Sequence, residues 1–429
     1  MDLIIRDAQL RHTQGTRDIG VADGRIAEIA PHIEEKGHQE IQAGGRLTVP
    51  TFVEPHVHLD KALISESVRP NRSGTLNEAI EIIWERKRAY TIEDIVERAG
   101  RVLRWGIGHG ATIFRTNVDV DTIGGLVPME ALLEVKRRFA GIARLQIVAF
   151  PQEGILQDPG TEELLREAMR MGADVVGGMP FNERTPEDRS RHIDICFRIA
   201  KEFGADLDMH VDETDDPAAR TLELVAARAI EEEYQGRVTA VHTCALAAYD
   251  DVHAAWVIDL VARAGLHMVT NPATNLMLQG RLDREPRRRG ITRVKELLAA
   301  GINVTYGQDC LQDTFYPTFG QADPLEVGQI LAHAAQMSRP EEIETLFDMA
   351  TVNAARLLRL KDYGIEPGHS ADLNIIDAPT VQEAFRTRAD RRTVIARGKV
   401  IAETETRTKL HIEDTQGKDT EKQAVEKDL

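Results

Sequence analysis

Between residues 49 and 367 the chain alternates short apolar runs with amphipathic stretches, and this alternation restricts its fold more than any other feature. The strand-like runs are residues 48–53, 112–115, 145–150, 175–177, 207–210, 238–242, 268–270 and 303–306. Segments between them, such as 162–171 and 291–300, repeat apolar residues at helical spacing. Strands alternating with helices imply a parallel sheet, and eight repeats predict a closed (β/α)8 TIM barrel rather than an open sheet. Such a barrel takes about 250 residues or more. A chain of 429 residues therefore has room for an appended module.

The two ends of the chain have a different grain. Leu3-Ile4-Ile5 is followed by Asp18-Ile19-Gly20-Val21, a turn at Asp23-Gly24 and a further run over 25–29. Asp-Gly between two short apolar runs is a hairpin signal. Residues 371–376, 392–397 and 398–401 have the same β character. We expect residues 1–48 and 368–412 to build one small β-sandwich-like domain beside a barrel over 49–367. The polar, charged residues 413–429 have almost nothing to bury and are expected to be disordered.

Composition narrows the partners. A formal charge of −17 and a pI near 5.4 argue against nucleic acid and anionic membranes, which favour basic patches. Cys196, Cys244 and Cys310 form no Cys-x-x-Cys pair, so neither a disulfide framework nor a thiolate zinc site is expected. No signal peptide is visible, and no run approaches the roughly 20 apolar residues that span a bilayer. The expected location is the cytoplasm.

The histidines and acids fall where the barrel would gather them. His56 and His58 follow the first strand-like run, and alternate residues on a strand share a face. His210 and His242 end later runs, and Asp309 follows the last. The C-terminal ends of barrel strands converge on one mouth, so residues far apart in sequence meet there. One histidine at a strand end is more often a satisfied polar residue than a ligand. Several converging with a carboxylate describe a metal site with a position left for water, whose pKa the ion lowers. A carboxylate just beyond His210 could carry a proton to a substrate nitrogen. Spacing alone leaves Asp212, Glu213, Asp215 and Asp216 as candidates.

Five stretches carry a resemblance: 52–60 (FVEPHVHLD), 147–155 (IVAFPQEGI), 210–213 (HVDE), 278–281 (LQGR) and 288–296 (RRGITRVKE). They resemble the bacterial cytosine deaminase branch of the amidohydrolase superfamily, over about residues 2–401. The resemblance implies that His56, His58, His210 and Asp309 bind one divalent ion, zinc or iron(II), per subunit. It implies Glu213 as proton shuttle, His242 as the group that polarises or positions the water and the tetrahedral intermediate, and Asp309 as general base. Gln152 would hydrogen-bond a pyrimidine's amide edge, and Gly74-Thr75-Leu76 would line the pocket. Two-metal relatives use a carboxylated lysine after the fourth strand. Residues 175–180 hold none, which favours a single ion. Relatives of this kind are commonly oligomeric, so a homo-oligomer acting on a small heterocycle is expected.

The departures concern the substrate. Cys310 stands where a second acid is usual, Gln308 and Asn117 replace common histidines, and Phe315 replaces a tryptophan of the pocket wall. Lys61 resembles the branch that hydrolyses amino-substituted triazines. Hydrolytic deamination of cytosine or a related pyrimidine is the leading expectation. The rivals are another cyclic amidine such as creatinine or isocytosine, or an (alkyl)amino-triazine such as N-isopropylammelide. A catalytically silent scaffold would need a lost ligand or a lost Glu213, and both are present. Cys310 as a nucleophile lacks a dedicated base. Arg287, Arg288 and Arg289 read better as a solvated turn or oligomer contact than as an anion site. The His-x-Glu and Pro-Cys-x-x-Cys signature of deaminases acting on nucleic-acid bases does not occur.

Overall fold

The computed structural model describes residues 1–285, 287–315 and 319–411, and the expected disordered tail at 413–429 lies outside them. Eight parallel strands stand side by side in chain order: β1 (Phe52–Val57), β2 (Ala111–Asp119), β3 (Arg144–Phe150), β4 (Val175–Gly178), β5 (Asp206–Val211), β6 (Val238–His242), β7 (His267–Thr270) and β8 (Asn303–Tyr306). In β1, β2, β4, β6 and β7 every position is buried. That is the signature of strands filled on one face by the barrel interior and covered on the other by helices.

The barrel closes at its rim, where β8 returns to β1. Asp309 pairs with Val57 there. The Asp309 N–H donates to the His56 carbonyl at 2.8 Å, and the His58 N–H donates to the Asp309 carbonyl at 3.1 Å. Next to it, the buried Glu54 carboxylate accepts the N–H groups of His56 and Gln308, each at 3.0 Å. Barrel closure therefore brings Asp309 alongside the His-x-His segment through backbone hydrogen bonds.

The expected first barrel strand over residues 48–53 is in fact two strands. Leu47–Pro50 pairs antiparallel with Leu373–Ile376, while Phe52–Val57 enters the barrel. The switch takes one residue. The Thr51 N–H donates to the Asp372 carbonyl, and the Phe52 N–H donates to the Gly110 carbonyl just before β2. The apolar run continues across the junction, so hydrophobic pattern alone could not divide it.

Strands from the chain ends form two four-stranded sheets. One runs in the order Arg25–Ala30, Arg17–Ala22, Leu3–Ala8, Gln39–Gln42, and its hairpin turns at Asp23-Gly24. The other runs Lys399–Glu403, Arg391–Ala396, Leu373–Ile376, Leu47–Pro50. Leu3, Ile5, Ile19 and Val21 share one apolar core with Leu373, Ile375 and Ile395, so both termini supply the same small domain. No described helix is long and apolar enough to cross a membrane. The helix expected over 291–300 is shorter, Val294–Ala299.

Inside the barrel, one layer below the histidines, Arg115 spans from β2 to β5. Its guanidinium donates to Asp208 at 3.1 Å and to Gln146 at 2.9 and 3.1 Å, and both charges are fully buried. Removing one partner of a buried pair strands the other, at about 3–5 kcal/mol. Asp208→Ala should therefore lower the denaturation midpoint sharply. A loss below about 1 kcal/mol would mean that Gln146 and Thr239 satisfy Arg115 by themselves.

Candidate active site

The predicted side chains do converge. His56 and His58 leave the end of β1, His210 lies near the end of β5, His242 ends β6, and Asp309 lies at the seam. The Nε2 atoms of His58 and His210 are 3.2 Å apart, and Asp309 Oδ1 is 3.4 Å from Nε2 of both His56 and His58. Donors at about 2.0–2.1 Å from one tetrahedral ion stand about 3.3 Å from each other. Among the described residues, His56 Nε2, His242 Nε2 and Asp309 Oδ2 are buried without a hydrogen-bond partner. Buried polar atoms are normally satisfied. His56, His58, His210 and Asp309 could hold a divalent ion, which would satisfy His56 Nε2 and the Asp309 carboxylate, while His242 Nε2 stays open toward the cavity.

Each donor is oriented by neighbours. The His210 ring stacks on Phe150 with centroids 4.0 Å apart. His56 Nδ1 lies 2.9 Å from the Asn117 amide, so Asn117 supports the ring although a histidine was the usual residue there. Burial lowers His58 to about 4 and holds His210 well below the ordinary histidine range. Both rings are then neutral at pH 7, the form that ligates a metal. Backbone conformation adds to the picture: Asp212, His242, Thr243 and Asp309 all have positive φ. Such conformations are uncommon for residues other than glycine and cluster where geometry is functionally constrained.

Of the four acids after His210, one is free for chemistry. Asp212 caps the helix Thr221–Glu231, accepting the Thr221 N–H at 3.1 Å, the Thr221 hydroxyl at 2.6 Å and the Leu222 N–H at 2.9 Å. Asp215 accepts the Gly280 N–H at 2.7 Å, and Asp216 accepts the Ala218 N–H at 2.8 Å. Glu213 instead lines the cavity beside His242 and Asp309. Burial, and then the charge of Asp309, push its carboxyl well above the usual range.

These side chains line a cavity that opens to solvent, with about 320 Å³ of empty space counted out into its mouth. Gln152, Leu76, Cys310 and Phe315 all line it, as expected from sequence, while His56 sits behind the other donors. Leu76 is the first residue of the helix Leu76–Lys87, capped by the Thr75 hydroxyl. One wall is apolar, formed by Cys310 and Phe315 with Ile80. The Cys310 thiol is kept protonated, first by burial and then by Asp309, and it points at Asp309 Oδ1, 3.6 Å away. It is therefore a wall group and no nucleophile.

Sequence reasoning missed two contributors. Asn275, on the helix Pro272–Leu278, donates to Glu213 at 3.1 Å and lies 3.1 Å from His242 Nδ1, which leaves His242 Nε2 for the cavity. Asn271 approaches the same nitrogen at 3.4 Å. The signal was two asparagines one helical turn apart, directly after a strand end. The second is Lys61, which was noted for its resemblance and not for its contacts. Fully buried, it reaches Asp119 at 2.5 Å and also donates to Gln152 Oε1. Its ammonium group is held charged: burial opposes this, but Asp119 and Asp60 outweigh it.

The family model described as "Amidohydrolase family" matches residues 73–402, most of the chain. The chain belongs to the amidohydrolase family. Among solved amidohydrolase structures, 5-methylcytosine deaminase from Klebsiella pneumoniae, liganded with 5-fluorocytosine, is similar with a TM-score of 0.91 and 39% identity. That match covers 95% of this chain and 99% of the other. N-isopropylammelide isopropyl amidohydrolase of Pseudomonas sp. (strain ADP) is 32% identical, over 94% of this chain and 98% of its own length. Pterin deaminase of Rhizobium rhizogenes is 34% identical over 90% of this chain and 87% of its own. This amidohydrolase is a hydrolase acting on carbon–nitrogen bonds in cyclic compounds, built on the TIM barrel and chain-end domain described above.

Proposed function

We propose that this amidohydrolase removes the 4-amino group, as ammonia, from a small aminopyrimidine-2-one, preferring a ring with an alkyl group at C5. The observation that carries the reading is the cavity. Glu213 and His242 line it together with the candidate metal donors His58, His210 and Asp309, and so do Gln152 and the apolar Cys310–Phe315 wall. The likeness to 5-methylcytosine deaminase supports the ring class.

His56, His58, His210 and Asp309 would hold one divalent ion, zinc or iron(II). When bound, the ion supplies Lewis acidity that makes hydroxide available near neutral pH. Asp309 takes a proton from the attacking water and later passes it to the departing amine. Glu213 delivers a proton to the ring nitrogen next to the reacting carbon, which raises that carbon's electrophilicity, and regains one from the added hydroxyl as the new carbonyl forms. His242, steadied through Nδ1 by Asn275, offers Nε2 to the oxygen on which charge develops. A thiol in place of an acid removes a charge from the wall and leaves an apolar seat for a 5-methyl group.

Ammonia release from metal-loaded protein tests this against cytosine, 5-methylcytosine, isocytosine, creatinine and N-isopropylammelide. One methyl group in an apolar seat is worth about 10–200-fold in kcat/KM. We expect 5-methylcytosine to exceed cytosine within that range. The likeness to N-isopropylammelide isopropyl amidohydrolase is the specific reason to monitor alkylamine as well. Release of isopropylamine without ammonia from either pyrimidine would replace the proposed substrate with a triazine.

A further inference from the structure

A glutamine that reads an amide edge uses both ends of its own amide, the oxygen as acceptor and the NH2 as donor. In this chain one end is already taken. The Lys61 ammonium donates to Gln152 Oε1, and an ammonium has no acceptor with which to receive the NH2 end. Lys61 cannot easily move away. Asp119 holds it at 2.5 Å, and Lys87 holds the other oxygen of Asp119 at 2.8 Å while also binding Asp121 at 2.6 Å and Glu153 at 2.8 Å. All of these side chains are buried. The backbone of Gln152 is pinned too, its carbonyl accepting from Asn182 Nδ2 at 2.9 Å. What remains is Gln152 Nε2, buried and without a partner among the described residues, on a side chain that lines the cavity.

From this we infer that Lys61 is a positioning residue that locks the Gln152 amide with its NH2 toward the substrate, so that the site selects rings presenting an acceptor there. On the proposed function, on which the ring orientation rests, that acceptor is the 2-oxo group. A 2-amino group at the same place would set donor against donor. The selection comes from Lys61 through Gln152, with no contact between Lys61 and the ring required.

The test uses two rings without a 4-amino group, so that it does not depend on turnover: pyrimidin-2-one and 2-aminopyrimidine, titrated calorimetrically into the metal-loaded protein. A buried donor left unpaired costs about a factor of ten or more in affinity, so the wild type should favour pyrimidin-2-one by at least about tenfold. Lys61→Met frees the amide to turn over and should collapse that ratio toward one. Gln152→Glu keeps a partner for Lys61, removes the donor and should reverse the preference; it serves if Lys61→Met does not fold. A merely structural Lys61 would weaken both rings equally, and an unchanged ratio in either folded variant overturns the inference. Equal affinities in the wild type, or binding of neither ring, also overturn it. Failure of the deaminase reading looks different: no heterocycle of the panel is turned over, yet the binding ratio and its response to Lys61→Met persist.

Discussion

Glu213→Gln protein keeps its fold and its metal but loses about 10²–10⁴-fold in turnover, the range expected for a positioned acid–base group. The change is nearly isosteric, and the glutamine oxygen can still accept from Asn275 as Glu213 does at 3.1 Å. Gln cannot donate and recover a proton at this position. The neighbouring acids cannot replace it. Asp212, Asp215 and Asp216 are each committed to backbone N–H groups that hold the loop and its following helix. Both kcat and kcat/KM should fall, because the interaction removed is made in the transition state. Steady-state kinetics with parallel metal analysis reads the result. If more than about a tenth of the activity remains, a step worth 10²-fold or more was not assigned to Glu213 correctly.

His210→Ala protein loses its ion, and its activity with it. Structural zinc sites with four protein donors bind with about 10–16 kcal/mol, an even share of about 2.5–4 kcal/mol per ligand that sets the scale here. That corresponds to two to three orders of magnitude in affinity. Elemental analysis should show about one ion per chain in the wild type and a small fraction of that in the variant. Dialysis of the wild type against a chelator should abolish turnover reversibly, and zinc or iron(II) added back should identify the more active metal. Full metal retention by His210→Ala would remove His210 from the ligand set. The geometry fits that set, because the 3.2 Å between the Nε2 atoms of His58 and His210 is close to the spacing of two donors on one ion.

Much of this site was legible before any coordinates, and the reason is local. Strand-like runs declare themselves through unbroken apolar character, and seven of the expected barrel strands fall within the strands observed. His-x-His at a strand end places two rings on one face by backbone geometry alone. The barrel rule then carries His210, His242 and Asp309 to the same mouth, although they are distant in sequence. Where local pattern was silent, expectation failed or stayed open. Residues 48–53 were read as one strand because side-chain character does not report which sheet each N–H joins.

Sequence by itself determined the barrel, the chain-end domain and the residue types of the candidate metal donors, since period, residue type and strand-end position are properties of short segments. Spacing left four acids open near His210 and the resemblance pointed to Glu213; tertiary structure supplied the physical reason, because Asp212, Asp215 and Asp216 are claimed by partners that the fold brings to them. It also decided that Asn275 serves Glu213 and His242 together, and that Lys61 takes the oxygen of Gln152. These contacts join residues separated by 91 positions for Lys61 and Gln152, and by 62 for Glu213 and Asn275. Hydrogen-bond commitment depends on distances of about 3 Å, and barrel register and loop path set such distances between segments whose sequences carry no record of each other.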